Sequence, residues 1–179
     1  MTAVIGIDPG ATGAMCLLKI EEGEKPFIKF WDNKHLLVPN LFLENFLEEF
    51  TLDMESCLVT RIILENVHSL GTMSAKSNFS FGGNVAISKW AAKVVGLAYT
   101  IPVDEVSPRA WQKGISFPSL TKTEKKGLNQ NQRTKLQKQR AFEYASELYP
   151  ETVPQLKGKR GGILDGRVDA LLIAHYGVT

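Results

Sequence analysis

The order of apolar runs predicts a mixed α/β domain: a β-hairpin first, then strands alternating with helices around one sheet, then helices. Three observations predict it. Short apolar runs end on turn residues or acids, as in Val4-Ile5-Gly6-Ile7-Asp8-Pro9-Gly10. Between and after them lie stretches with apolar residues at helical spacing. The chain has 179 residues, 44% of them hydrophobic, so residues 1–179 are expected as one domain with a real core.

Residues 3–8 read as a buried strand, followed by a turn at Pro9-Gly10-Ala11-Thr12-Gly13. Ala14 to Ile20 returns as the second arm of the hairpin, and Phe27 to Trp31 is a third strand. Residues 39–50 place Leu43, Phe46, Leu47 and Phe50 at helical spacing behind Pro39. Leu58 to Glu65 is a fourth strand. Residues 66–83 are small, polar and Gly-rich with two phenylalanines, the composition of a functional loop. A helix follows from about Asn84, with Ile87, Trp90, Ala91 and Val94 on one face, and Ile101 to Val106 is a fifth strand. Ser107-Pro108 starts a helix, as cap and first position. Residues 116–133 lack apolar periodicity and read as a mobile loop or excursion. Thr134 to Leu148 reads as an amphipathic helix with Leu136, Phe142, Ala145 and Leu148 inward, and Asp165 or Gly166 opens the last helix.

Composition narrows the class. Charged residues make up 22%, and no apolar run approaches the roughly 20 residues of a membrane span. The N-terminus carries no basic leader, so an intracellular, cytoplasmic protein is expected, in the host cytoplasm if phage-encoded. Cys16 and Cys57 are isolated among apolar residues and read as reduced thiols. Net charge is only +2 but unevenly placed: Glu21 to Glu65 holds ten acids against four bases, whereas Ser107 to Arg160 holds twelve bases against four acids. A basic half on a near-neutral chain is a footprint for a polyanion, or a solvated lysine-rich surface.

Four acids stand where a fold could gather them. Asp8 and Glu65 each end an apolar run, and Asp165 and Asp169 lie four apart before Ala170-Leu171-Leu172-Ile173-Ala174. On a helix that spacing puts both on one face. Each has a plain alternative: a turn acid for Asp8, a local ion pair for Glu65, and favourable placement at a helix N-terminus for Asp165 and Asp169. Those alternatives must hold independently, whereas one metal site explains all four. Mg²⁺ and Mn²⁺ take oxygen ligands, and paired ions activate water and stabilise the leaving oxygen in phosphodiester cleavage. Thr12 is a candidate contact to phosphate or is a turn threonine. His35, His68 and His175 lack zinc spacing. No Gly-rich nucleotide motif fits, so no nucleotide cofactor is expected.

Ile5-Gly6-Ile7-Asp8-Pro9-Gly10 with Thr12-Gly13, Leu64-Glu65-Asn66-Val67-His68, Val106-Ser107-Pro108 with Trp111, Lys138 to Pro150, and Asp165-Gly166 with Asp169-Ala170-Leu171-Leu172 together resemble the RuvC-like Holliday-junction resolvases, especially their phage-borne branch. The resemblance implies an RNase H-like fold, a five-stranded mixed sheet flanked by helices. It implies a homodimeric crossover junction endodeoxyribonuclease that nicks two strands of a four-way DNA junction symmetrically. Asp8, Glu65, Asp165 and Asp169 match the family's metal-binding acids, with two ions per site. Residues 72–81 match the segment that meets the junction centre, which makes Thr72, Ser74, Lys76, Asn78, Phe79 and Phe81 candidate DNA contacts. Phe79 or Phe81 would stack on a base or anchor the segment in the core or in a dimer interface. Lys122, Lys125, Lys126, Arg133, Lys135, Lys157, Lys159 and Arg160 are candidate backbone contacts. The chain departs from the family in the spacing of its last acid pair, four where the bacterial cellular enzyme has three. The 122–133 excursion aligns with nothing in the family.

Rival functions remain: a related nuclease acting on other branched DNA or RNA–DNA hybrids, and a junction-binding protein without cleavage. An actin-like ATP fold needs two such domains, more than 179 residues supply.

Overall fold

A computed structural model describes residues 1–10, 12–33, 58–67 and 74–179. The expected helix at 39–50, and Thr72, His35, His68 and Cys57, lie outside the described residues. Among those described, strands β1 (Thr2–Ile7), β2 (Ala14–Ile20), β3 (Phe27–Asp32), β4 (Arg61–Glu65) and β5 (Val103–Val106) form one sheet of order β3-β2-β1-β4-β5. The β1–β2 and β2–β3 pairs are antiparallel, while β1–β4 and β4–β5 are parallel. The mixed α/β expectation holds.

The starts of β4 and β5 move for local reasons, while β1 runs from Thr2 to Ile7, one residue earlier at each end than expected. Leu58 has a positive φ of 46°, outside the extended region, so β4 begins only at Arg61. Ile101 spends its N–H on the carbonyl of Gly96, and Pro102 has none to give, so β5 begins at Val103.

The sheet has a core on each face, and strand alternation assigns side chains between them. Ala3, Ile5 and Ile7 of β1, with Ile62 and Leu64 of β4, face the long helix α1 (Ala75–Tyr99). Val4 and Ile63 point the other way, into a larger core with the helices α4 (Gln130–Leu148) and α5 (Asp165–Val178). Gly6 shares that second face, and a Cβ there would lie 2.3 Å from the Ala170 carbonyl oxygen and 2.4 Å from the Ala174 nitrogen. Helix α5 therefore rests directly on the backbone of β1. Gly166, at the start of α5, would place a Cβ 2.2 Å from the Thr12 carbonyl oxygen, so the helix also abuts the turn after Asp8.

Three expectations are corrected. Residues 75–83 are helical, not loop: Ser74 caps α1 by accepting from the Ser77 N–H at 3.1 Å. No proline interrupts the run, and helical hydrogen bonding continues through Gly82-Gly83 despite a cost of about 1 kcal/mol per glycine. The buried stripe of α1 is Ser88, Ala91, Ala92, Val95 and Gly96, so of the expected face only Ala91 is buried, and Ile87 and Trp90 are exposed. Small residues face the sheet because the helix packs close: a Cβ on Gly96 would meet Val103 at 2.4 Å.

The third correction concerns 116–133. After the short helix α2 (Pro108–Gly114), two reciprocal capping boxes order this segment. Thr121 and Glu124 open α3 (Lys122–Lys125), and Asn129 and Gln132 open α4 four residues earlier than expected. Along α4, Ala141, Phe142 and Ala145 are buried and Leu148 partly so, whereas Leu136 is exposed. No described helix is long and apolar enough to cross a membrane.

Gly6→Ala is expected to lower stability by about 1–3 kcal/mol through overpacking against α5. The measurement is the urea midpoint at unchanged m-value.

Candidate active site

The parallel pairing of β1 and β4 sets Ile7 opposite Leu64, so Asp8 and Glu65 leave the sheet side by side at the carboxyl ends of adjacent strands. By alternation both point to the α5 face, with Gly6 and Ile63. Because α5 rests on Gly6, its first turns pass over the same strand ends, with Asp165 at the first helical position and Asp169 one turn on. Leu164 is the N-cap residue and makes no side-chain capping bond, so Asp165 does not serve as the cap.

Each acid is held differently. The Asp8 Oδ1 accepts the Gly10 N–H at 3.3 Å. The backbone of the turn is held by Asn33, which is buried and whose Nδ2 donates to the carbonyls of Asp8 at 2.7 Å and Gly10 at 2.9 Å. Glu65 is buried and accepts the Trp111 Nε1–H at 2.8 Å. Trp111 reaches it because Ser107, capping α2 at the end of β5, aims that helix back across β4. Asp165 forms an ion pair with Lys138 of α4. The entry to α5 is pinned by Arg167, whose Nε and Nη2 donate to the two Asp32 oxygens at 2.6 and 3.0 Å.

The four acids act on one another. Burial, then the neighbouring Glu65 charge, pushes Asp8 up from 3.8 to about 7, against the Gly10 hydrogen bond that lowers it. Burial drives Asp169 well above the ordinary carboxylate range, with repulsion from Asp8, Glu65 and Asp165 adding to it. Glu65 is raised by burial and partly restored by the Trp111 hydrogen bond. Lys138 opposes the rise at both Asp8 and Asp169 while pairing with Asp165.

The fold thus brings all four acids within one another's field, but among the described residues no three converge into a ready ligand set. The donor chemistry fits a hard divalent cation: oxygen atoms only, negative in sum, with Asp8 and Asp169 raised by burial and by their neighbours' charge.

Other candidates are placed as follows. Thr12 is exposed in the turn beside Gly166. Ser74, Lys76, Asn78, Phe79 and Phe81 lie on the first turns of α1 and its cap, with Phe79 86% exposed, so Phe79 does not anchor that end in the core. Lys122, Lys125 and Lys126 are exposed on and after α3, and Lys125 and Arg133 line a cleft that ends at Asp169. Lys135 and Lys138 border a neighbouring hollow along α4. Lys157, Lys159 and Arg160 are exposed on the loop before α5, with the Lys157 Nζ 5.1 Å from the Phe142 ring centre.

Three site residues were not anticipated as such. Lys138 lies three and seven residues before Ala141 and Ala145, so a cation on the inner stripe of α4 was a readable signal. Trp111 stood in a motif but carried no role. Asn33 had no signal, because its partners are 23 and 25 residues away.

No protein-family model matches the chain, and no curated protein matches it. Solved structures match its architecture. T. thermophilus RuvC in complex with Holliday junction substrate aligns with a TM-score of 0.60 at 12% identity, covering 99% of this chain and 93% of that one. The Thermus thermophilus RuvC structure aligns at 0.53 with 11% identity over the same shares. The chain has a RuvC-like fold. The yeast mitochondrial Holliday junction resolvase Ydc2 aligns at 0.55 with 15% identity, covering 98% of this chain and 77% of that one. In this RuvC-like, RNase H-like sheet the acids occupy the carboxyl ends of β1 and β4 and the first two turns of α5.

Two outcomes follow for the metal-free protein. The folded state keeps a proton on Asp8 that the unfolded chain has released, so stability falls as pH rises from about 4 through about 7. Urea midpoints in EDTA across that range should decline for wild type and decline less steeply for Asp8→Asn, in which the raised Asp169 and Glu65 still contribute. Trp111→Phe strands the buried Glu65 without its donor and should cost about 1–3 kcal/mol by the same measurement.

Proposed function

We propose that this protein is a divalent-cation-dependent endonuclease that resolves four-way DNA junctions by paired symmetric nicks. The observation that supports it most is the mutual coupling of Asp8, Glu65, Asp165 and Asp169 at one edge of a RuvC-like sheet, at the end of a cleft rimmed by cations. Structures of that fold include a RuvC bound to a Holliday junction substrate and a mitochondrial junction resolvase.

The four carboxylates would hold Mg²⁺, or Mn²⁺ in its place, as two ions per site. Bound there, such ions supply charge stabilisation to the phosphate and acidify the attacking water. The chain's own residues do the rest. Asn33 and the Gly10 N–H fix the Asp8 turn, Trp111 fixes one oxygen of Glu65, and Lys138 balances Asp165. Lys122, Lys125, Lys126, Arg133, Lys135, Lys157, Lys159 and Arg160 would contact phosphates, which sets affinity and register more than sequence choice. Phe79, exposed near the start of α1, would stack on a base at the branch, with Ser74, Lys76 and Asn78 beside it on the same helix end. A homodimer would supply the second active site, and the exposed Ile87, Trp90 and Leu97 of α1 give it an apolar surface.

The test compares four-way junction, fork and RNA–DNA hybrid substrates with Mg²⁺ and with EDTA. Junction DNA should be cleaved to 5′-phosphate and 3′-hydroxyl ends only with the cation, and Asp8→Asn should lose on the order of 10²–10³ in rate. Preferential cleavage of forks or hybrids would reassign the substrate. Metal-independent binding without cleavage would leave a junction-binding protein.

A further inference from the structure

The cleft beside the acids has a volume of about 470 Å³ and is walled by α2, the 117–125 segment and the N-terminal half of α4. That is the size of a small-ligand site. Trp111, Phe117 and Ala141 form an apolar floor, the two aromatics meeting edge to face with centroids 6.2 Å apart. Gln112, Gln130 and Gln137 bring neutral amides, and Lys125, Arg133 and Lys138 bring positive charge. Asp169 is the one acid in the lining, and it stands at the end that meets the metal-binding candidates.

Arg133 lines the cleft with its positive charge, while its Nε is shielded from solvent. An apolar floor, amides that read base edges and cations that attract phosphate are the complement of a nucleotide. A peptide or a lipid would not need all three.

We infer that this cleft receives one unpaired nucleotide of the cleaved DNA strand, its base over the Trp111–Phe117 floor and its phosphate drawn by the charges of Lys125 and Arg133. The inference rests on the nuclease function proposed above and adds a determinant of where the cut falls. A base must leave the stack to enter, which costs a few kcal/mol in a duplex and least where the nucleotide is already unpaired. The cleft thereby favours branched DNA, and its three glutamines discriminate among bases.

The experiment uses the full chain and junctions that carry 2-aminopurine at successive positions around the cut, bound in Ca²⁺, with cleavage then measured in Mg²⁺. In wild type, fluorescence should rise at one position bordering the cut. Thr134 is exposed on α4 and lines the cleft, so Thr134→Trp fills its mouth without entering the core. It should abolish that rise, slow cleavage by about tenfold, the equivalent of one lost stacking contact, and redistribute the cut sites. Arg133→Met should lose the same signal, and circular dichroism checks both folds. If wild type cleaves but no position brightens, or both variants keep the signal and the cut-site pattern, the cleft inference falls and the nuclease stands. If wild type cleaves nothing, both fall.

Discussion

The structure depends on the absence of a side chain at Gly6. With the Ala170 carbonyl oxygen 2.3 Å from where its Cβ would be, α5 lies against β1 at backbone distance. Gly166 repeats the device at the turn after Asp8. A side chain at either position would lift the helix, and Asp169 would leave the field of Asp8 with it. The geometry of the acids is thus a consequence of packing two residues before the first of them and three residues before the last. Arg167 closes the same corner from the other side by its paired hydrogen bonds to Asp32.

That packing carries an electrostatic cost. Four acids share one edge; burial raises Asp8, Glu65 and Asp169, and repulsion adds to it at Asp8 and Asp169. A core built only for stability would not keep such a group, because buried ionisable residues are tolerated only when paired. The structure offers partial compensation: one lysine across three acids, one indole N–H and one backbone N–H. None of these neutralises the cluster. The cluster is thus left short of positive charge, as the cation dependence proposed for it requires.

Most of the sheet was legible because strands of this kind announce themselves: β2 runs from Ala14 to Ile20 as its apolar run does, and β3 gains only Asp32. The acids at strand ends were legible for the same reason, since Asp8 and Glu65 break apolar runs that packing alone would continue. The start of α1 was not, because Gly82-Gly83 and the serines have the composition of a loop, and only the Ser74 cap favours helix there. The ordering of 116–133 was legible in principle. Thr121 and Glu124, like Asn129 and Gln132, are capping-box pairs three apart, but a search for apolar periodicity passes over polar signals. Asn33 lay beyond any local pattern, since the turn it holds is fixed by tertiary contact.

The basic half of the chain acquires a physical meaning from those capping boxes. Free lysines on a loop would form a diffuse counter-ion cloud. Once Thr121 and Asn129 order the segment, and Glu124 pairs with Arg140 of α4, Lys125 and Arg133 are held on one rim facing Asp169. Positive charge is thereby separated from the acids by the width of a cleft instead of neutralising them. Lys138 is the exception that sits among the acids, and it does so from the inner stripe of the same helix. One helix, α4, thus carries both Arg133, which lines the cleft, and Lys138, which pairs with Asp165 and lowers Asp8 and Asp169. Its register relative to α5 fixes which lysine plays which part: Ala141 and Ala145, buried against α5, leave room for Lys138 to reach Asp165 and turn Arg133 away towards the cleft.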